Sequence, residues 1–386
     1  MKSEIVIIGG GVIGASVAYH LTEKGAKDVL ILEREAAPGF GSTGKATGGV
    51  RAQFETEINI KQSLYSLDFF EKFGELTGTD YGYEPRGYLF FATDDAQFGY
   101  LKNNVEKQKS LGVKGVETVD AQTISEIVRG LNCADIRGGS FGTRDGFINP
   151  LGVLAGFMKR AVENGAKMQT ETEVFSIETV SGKIKSVATN KGEIECETIV
   201  LCAGAWARKL AKTAGIDLPV EPLKRQIVWA TSKTDLQGNL PMVIDLGSGF
   251  HFRPASHSRR EVLFAYPDRD EKPSFDTNFD DGFIAKVYER AEHRVPFLAE
   301  TEVVRERCRA GLYENTPDHH AILGGCEIKN LYFANGFSGH GVMHSPATGR
   351  ALAEIILDSE SKFLNVSCLS LERFAKHELL HETAFI

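Results

Sequence analysis

Three glycines near the start of the chain carry the strongest chemical signal. Gly9, Gly11 and Gly14 are spaced G-x-G-x-x-G after an apolar stretch at residues 5–8. This pattern suits a dinucleotide. The first glycine permits a tight turn, the second lets backbone approach a pyrophosphate, and the third lets helix and strand pack closely. Backbone N–H groups of a helix opening at Val12 and Ile13 then face the phosphates. Glu33 follows nineteen residues after Gly14. A carboxylate there accepts hydrogen bonds from ribose hydroxyls and repels a 2′-phosphate, which disfavours NADP. The fingerprint does not separate FAD from NAD.

The elements around these residues form a β-α-β unit, with strands at 4–8 and 29–33 and a helix over 12–24 ended by Gly25. A polar, glycine-rich loop follows at 37–51. Helices are predicted over 57–76, 95–111, 150–164 and 345–357. Strands are predicted at 88–92, 174–178, 185–189, 198–203, 226–231, 249–253, 261–265 and 330–334. Residues 218–308 are richer in alternating strand patterns. The β-α-β unit opens the chain, and a strand, glycine loop and helix close it. One domain is therefore expected to be assembled from separated segments.

The chain has 386 residues, enough for two or three domains. It carries 44 Lys and Arg against 52 Asp and Glu, a formal charge of −8, which argues against nucleic-acid binding. The six cysteines form no C-x-x-C, so reduced thiols in a cytoplasmic protein are expected. No apolar run approaches a membrane span. The first residues mimic a signal peptide, but Glu4 and four glycines spoil it. His340 and His344 have helical metal-ligand spacing without the Glu of H-E-x-x-H, so no metal is expected.

Further segments narrow the cofactor: Gly41-Ser42-Thr43-Gly44-Lys45-Ala46-Thr47, Asp145-Gly146-Phe147-Ile148-Asn149-Pro150 and the run 199–206 ending Ala203-Gly204-Ala205-Trp206. Near the end stand Ala310-Gly311-Leu312-Tyr313-x-x-Thr316-Pro317-Asp318 and Asn335-Gly336-Phe337-Ser338-Gly339-His340-Gly341. In that order they resemble the FAD-dependent oxidoreductases of the D-amino acid oxidase superfamily. The nearest branch is that of sarcosine oxidase and the β-subunits of sarcosine oxidase and L-proline dehydrogenase. The resemblance implies an α/β fold, with a Rossmann-like FAD domain and a second α+β substrate domain on a mainly antiparallel sheet. The division expected is 1–83, 145–217 and 309–368 for FAD, 84–144 and 218–308 for substrate, and 369–386 as a C-terminal tail. It implies FAD contacts from Gly9, Gly11, Val12, Ile13, Gly14, Glu33, Arg34, Ser42, Thr43, Lys45, Thr47 and Gly49. Val174, Ala203, Gly204, Trp206, Gly311, Gly336, Ser338, Gly339, His340, Gly341, Val342 and Met343 complete that set.

It also implies oxidation of a C–N bond in an amino acid or secondary amine by hydride transfer to flavin N5, giving an imine that hydrolyses. Arg51, matching Thr47-x-x-x-Arg51 of sarcosine oxidase, is the expected carboxylate anchor. Tyr313 stands where glycine oxidase and D-amino acid oxidase have an arginine, and Met343 where monomeric sarcosine oxidase has a lysine. The covalent flavin cysteine of that enzyme aligns with Gly311, and the flavin-bonding histidine of dimethylglycine dehydrogenase with Lys45. Non-covalent FAD is therefore expected. His251, Tyr266 and His344 are candidate pocket residues, and the helix near Met343–Ser345 is a candidate dipole for the reduced flavin. The electron acceptor is O2 or another carrier. Relatives that oxidise 2-hydroxy acids or glycerol 3-phosphate keep C–O oxidation open. Relatives that are subunits keep open a flavin-binding β-subunit, a partner subunit or a homo-oligomer.

Overall fold

The computed structural model of the protein describes residues 1–255 and 258–383. The opening strand Lys2–Ile8 is β-branched and buried on both faces, with Ile5 to Ile8 at 4% exposure or less. That burial suits a parallel sheet covered on both sides. It pairs in parallel with Val29–Leu32 on one side and Gly192–Leu201 on the other. Lys167–Gln169, Leu331–Asn335 and Ile322–Gly325 extend the sheet, and an antiparallel hairpin of Val174–Val180 and Lys183–Thr189 completes its eight strands. The fold is thus the expected Rossmann-like α/β domain.

Helix Val12–Glu23 leaves the first strand and packs on Pro150–Glu163 and Gly341–Asp358. Its contact with the last long helix is close. A Cβ on Gly349 would lie 2.3 Å from Ser16 Oγ, and that hydroxyl donates to Ser345 O at 2.7 Å. The two ends of the sequence therefore build one domain. Gly341–Asp358 begins four residues before the predicted start. Pro346 has no N–H for Val342 O, but the Ser345 hydroxyl donates to that carbonyl at 2.8 Å, so the helix runs through the proline.

The second sheet has nine strands. Tyr88–Ala92 lies between Gly138–Gly142, antiparallel, and Met242–Asp245, parallel, and the other pairings are antiparallel. Helix Gly282–Arg294 covers one face through Phe283, Val287 and Ala291. It lies in a stretch read for its strand patterns, where no helix is predicted, although its apolar residues recur every fourth position.

Three boundaries differ from expectation. Arg309–Asn315 pairs with Glu221–Thr231 along its whole length, so residues 309–315 join the second sheet while lining the cavity through Gly311 to Glu314. The predicted helix over 57–76 is interrupted at Lys72 between Glu57–Glu71 and Phe73–Thr77. Residues 369–383 are more than a tail. Arg373 is buried in an ion pair with Asp318 at 2.7 Å, and Glu382 is buried where it accepts from the backbone N–H groups of Glu55 and Thr56.

Candidate functional site

The carboxyl ends of the first sheet open into a cavity of about 540 Å³ whose far wall is the second sheet. Gly9 ends the first strand at φ +112°, where a Cβ would lie 2.3 Å from Cys202 O. Gly11 is the residue before helix Val12–Glu23 and provides no side-chain cap. The Val12 N–H donates to Thr43 Oγ1 at 3.1 Å, which seats the short helix Ser42–Lys45 over the turn. Glu33 stands at the mouth. Its two oxygens accept from the N–H groups of Gly10 and Glu35, both at 2.9 Å. Arg34 stacks on the Trp206 ring at 3.7 Å.

Arg51 is held by neighbours on the two segments 48–54 and 145–152. Strand Gly49–Val50 pairs with Gly146–Phe147, and Gly48, at φ +77°, lies too close to Ile148 O for any side chain. Asp145 accepts from Ala52 N–H at 2.8 Å and from Gln53 Nε2 at 2.9 Å. Burial raises its carboxyl to about 6, while those hydrogen bonds and Arg51 pull it down. Asn149 caps helix Pro150–Glu163 by accepting from Leu151 and Gly152 N–H. The Arg51 guanidinium is buried, stacks over Phe54 at 3.8 Å and donates to Gln53 O.

Gly339, Gly341, Val342 and Met343 bring the first turn of Gly341–Asp358 to the cavity, with His340 at its cap. Burial, with Arg51 adding to it, holds His340 well below the usual histidine range, so it is neutral. On the opposite wall, burial lowers His251 to about 4, and its Nδ1 lies 2.8 Å from Gly249 O.

Ser42, Lys45, Thr47, Gly49, Val174, Ala203, Gly204, Gly311 and Tyr313 also line the cavity. Four expected contacts stand behind its wall. Gly14 packs helix on strand, since a Cβ there would lie 2.0 Å from Gly9 O. Gly336 and Ser338, both at positive φ, shape the turn, where Ser338 Oγ accepts from Thr316 N–H. His344 sits one helical turn beyond His340, packed on Phe54 and 2.9 Å from Ser63 Oγ. Burial drops it to about 3. Tyr266 borders the cavity, but its ring stacks on Phe283 at 5.0 Å and its hydroxyl donates to Asp268. Tyr266 thus lines the cavity as expected, whereas His344 does not.

Three lining residues escape the sequence reading. Tyr88 points its phenol at Gly49, where a Cβ would lie 1.9 Å from the hydroxyl. Arg225 faces the cavity from strand Glu221–Thr231. Charged residues 224–225 leading into an apolar strand were a usable signal for it. Glu314 is half-buried with its Oε2 shut off from solvent, and burial raises its carboxyl to about 7.

The family model for DAO, FAD dependent oxidoreductase, matches residues 4–355. The chain belongs to the DAO family. A relative in Xenopus laevis, FAD-dependent oxidoreductase domain-containing protein 1, is 32% identical over 99% of this chain and 84% of its own. Human mitochondrial dimethylglycine dehydrogenase is 28% identical over 94% of this chain, which spans only 43% of that protein. The crystal structure of L-proline dehydrogenase from P. horikoshii superposes with a TM-score of 0.90 at 31% identity. It covers 98% of this chain and 99% of that one.

As a DAO-family protein this is an FAD-dependent oxidoreductase, and the cavity fits the cofactor. The Gly9–Gly11 turn leaves no Cβ against the backbone, the helix start at Val12 and Ile13 lines the cavity where an anion would suit it, and Glu33 suits ribose hydroxyls. Gly49 and Gly311 keep the middle of the cavity clear of side chains, because a Cβ at Gly311 would press on the Lys45 stem at 2.9 Å.

Proposed function

We propose that this chain oxidises the carbon–nitrogen bond of a carboxylate-bearing amino acid or secondary amine, such as an N-methyl amino acid or a proline-like ring, with FAD held non-covalently. The observation that carries the reading is the buried Arg51 guanidinium in the wall of the cavity shared with the dinucleotide cradle. A guanidinium binds carboxylate by charge and in a defined orientation. The proline and dimethylglycine dehydrogenases among its relatives support the amine class.

FAD, when bound, supplies the hydride acceptor. The protein's part is positional and electrostatic. Arg51 holds the carboxylate and so selects the C–H presented to the acceptor. The substrate nitrogen must be neutral for its lone pair to assist hydride loss. Burial and the Arg51 charge, which disfavour protonated His340 and His344, disfavour an ammonium in the same way. A 2-hydroxy acid would instead need a base for its hydroxyl proton. Of the cavity's groups, His251, lowered to about 4, and His340, held well below the usual histidine range, serve poorly near neutral pH, which leaves Glu314 as the carboxyl that titrates there. For the cofactor linkage, Gly311 offers no thiol, and Lys45 takes the place of a flavin-bonding histidine.

The test is the visible spectrum of the purified protein before and after anaerobic addition of donors. N-methyl amino acids, proline, amino acids of both hands and 2-hydroxy acids are tried separately. Bleaching by amines supports the reading, and bleaching by 2-hydroxy acids alone overturns it. Acid precipitation should leave a yellow supernatant. A yellow pellet would refute non-covalent binding.

A further inference from the structure

A second guanidinium, half-buried, lines the cavity. Arg225 lies opposite Gly311 in the pairing of Glu221–Thr231 with Arg309–Asn315, 5.5 Å from the centre of the Tyr313 ring. Its Nη1 reaches Lys224 O at 3.2 Å, and its buried Nε has no hydrogen-bond partner. The nearby carboxylates are committed elsewhere. Asp276 and Glu271 pair with Lys224 at 2.8 and 3.8 Å, and Asp268 pairs with Lys286 at 2.7 Å.

Arg225 and Arg51 flank one space. Both charges act on the half-buried Tyr313 phenol, opposing the rise that burial imposes. Arg225 also acts on His251, and Arg51 on His340. The histidines are neutral and cancel neither charge. One carboxylate seated on Arg51 leaves the half-buried Arg225 charge facing the same space with its buried Nε unpartnered, a group that an anion would satisfy.

We propose that the substrate carries two anionic groups, one carboxylate bound by Arg51 and a second by Arg225. Combined with the amine reading, on which this part rests, the substrate class is an N-substituted amino acid with a second carboxylate on its side chain or on its nitrogen substituent.

The experiment uses the FAD-loaded full chain and matched pairs of donors: N-methylglutamate against N-methylglutamine, and N-methylaspartate against N-methylasparagine. The dianion should have kcat/KM at least about tenfold above its neutral-side-chain partner, the scale of one charge-assisted hydrogen bond. Arg225→Gln should collapse that ratio toward one through KM, and Arg225→Lys should retain part of it. A ratio near one in the parent overturns the proposal while leaving the amine reading intact. A turnover-independent measurement separates the two further. Glutarate should perturb the flavin spectrum at roughly tenfold lower concentration than butyrate, and Arg225→Gln should abolish the difference. Equal affinities overturn the two-anion pocket. A glutarate preference with no amine able to bleach the flavin would refute the amine reading and retain the pocket.

Discussion

Replacing Arg51 with glutamine removes one charge from a place where water cannot compensate for it. Arg51 is 2% exposed, so its charge meets a ligand through protein and not through solvent. At ~4 Å and an effective dielectric of ~20, unlike unit charges attract by about 4 kcal/mol. Removing one member of a buried, hydrogen-bonded charge pair costs about 2–5 kcal/mol. At ~1.36 kcal/mol per decade this corresponds to a loss of roughly 30- to 5,000-fold in kcat/KM. Glutamine keeps the start of the stem and a neutral polar end, and Arg51 is not part of the dinucleotide turn, so FAD content should survive. The assay is stopped-flow reduction of the bound flavin over a series of substrate concentrations. The loss should fall mainly on substrate affinity. The rising limb of the rate–pH profile should also move to higher pH, because the bound amine no longer feels the Arg51 charge. An amine lacking the carboxylate should lose far less. An equal loss on the carboxylate-free amine, or a loss below about fivefold on the acid, would refute the anchoring role.

Three further outcomes are expected. Gly9→Ala places a Cβ 2.3 Å from Cys202 O at φ +112°, so flavin content and melting temperature should both fall, with backbone strain alone costing ~1–3 kcal/mol. Glu314 is raised from the ordinary 4.5 to about 7 by burial, so the stability it contributes at low pH is lost as pH rises through 7. Glu314→Gln should therefore match the parent below about pH 4.5 and exceed it at pH 8 by up to about 3 kcal/mol in denaturant melts. His251→Phe should change substrate kinetics, whereas Tyr266→Phe and His344→Phe should leave KM within about twofold and act on stability, His344→Phe by ~1–3 kcal/mol through the stranded Ser63 hydroxyl.

Much of the FAD domain is legible because its signals are local. The glycine turn, the acid ending the second strand and the Asn149–Pro150 helix start each depend on residues close in sequence, where backbone conformation and capping are decided. The helix Gly282–Arg294 was legible in principle, but its period competes with flanking strand-like runs. The turn from Gly336 to Gly341 was recognised, yet the helix start was read four residues late, and that error put His344 in the pocket. With the helix opening at Gly341, only His340 reaches the cavity, and His344 falls one turn inside. Tyr266 lies just past the end of strand Glu261–Ala265, where alternation no longer dictates which way a side chain points.

The sequence by itself determined that a dinucleotide cradle exists, where it lies, and that the chain's two ends share one domain. These follow from spacing, from glycines that leave no room for a Cβ, and from a motif repeated at both termini. Tertiary structure alone decided what faces the cradle. Tyr88 and Arg225 lie on ordinary strands of the other sheet, 137 residues apart in the chain. The packing of that sheet across the cavity turns them toward Gly49 and Tyr313. A strand's sequence records which residues share a face, and only the docking of two sheets settles what that face meets.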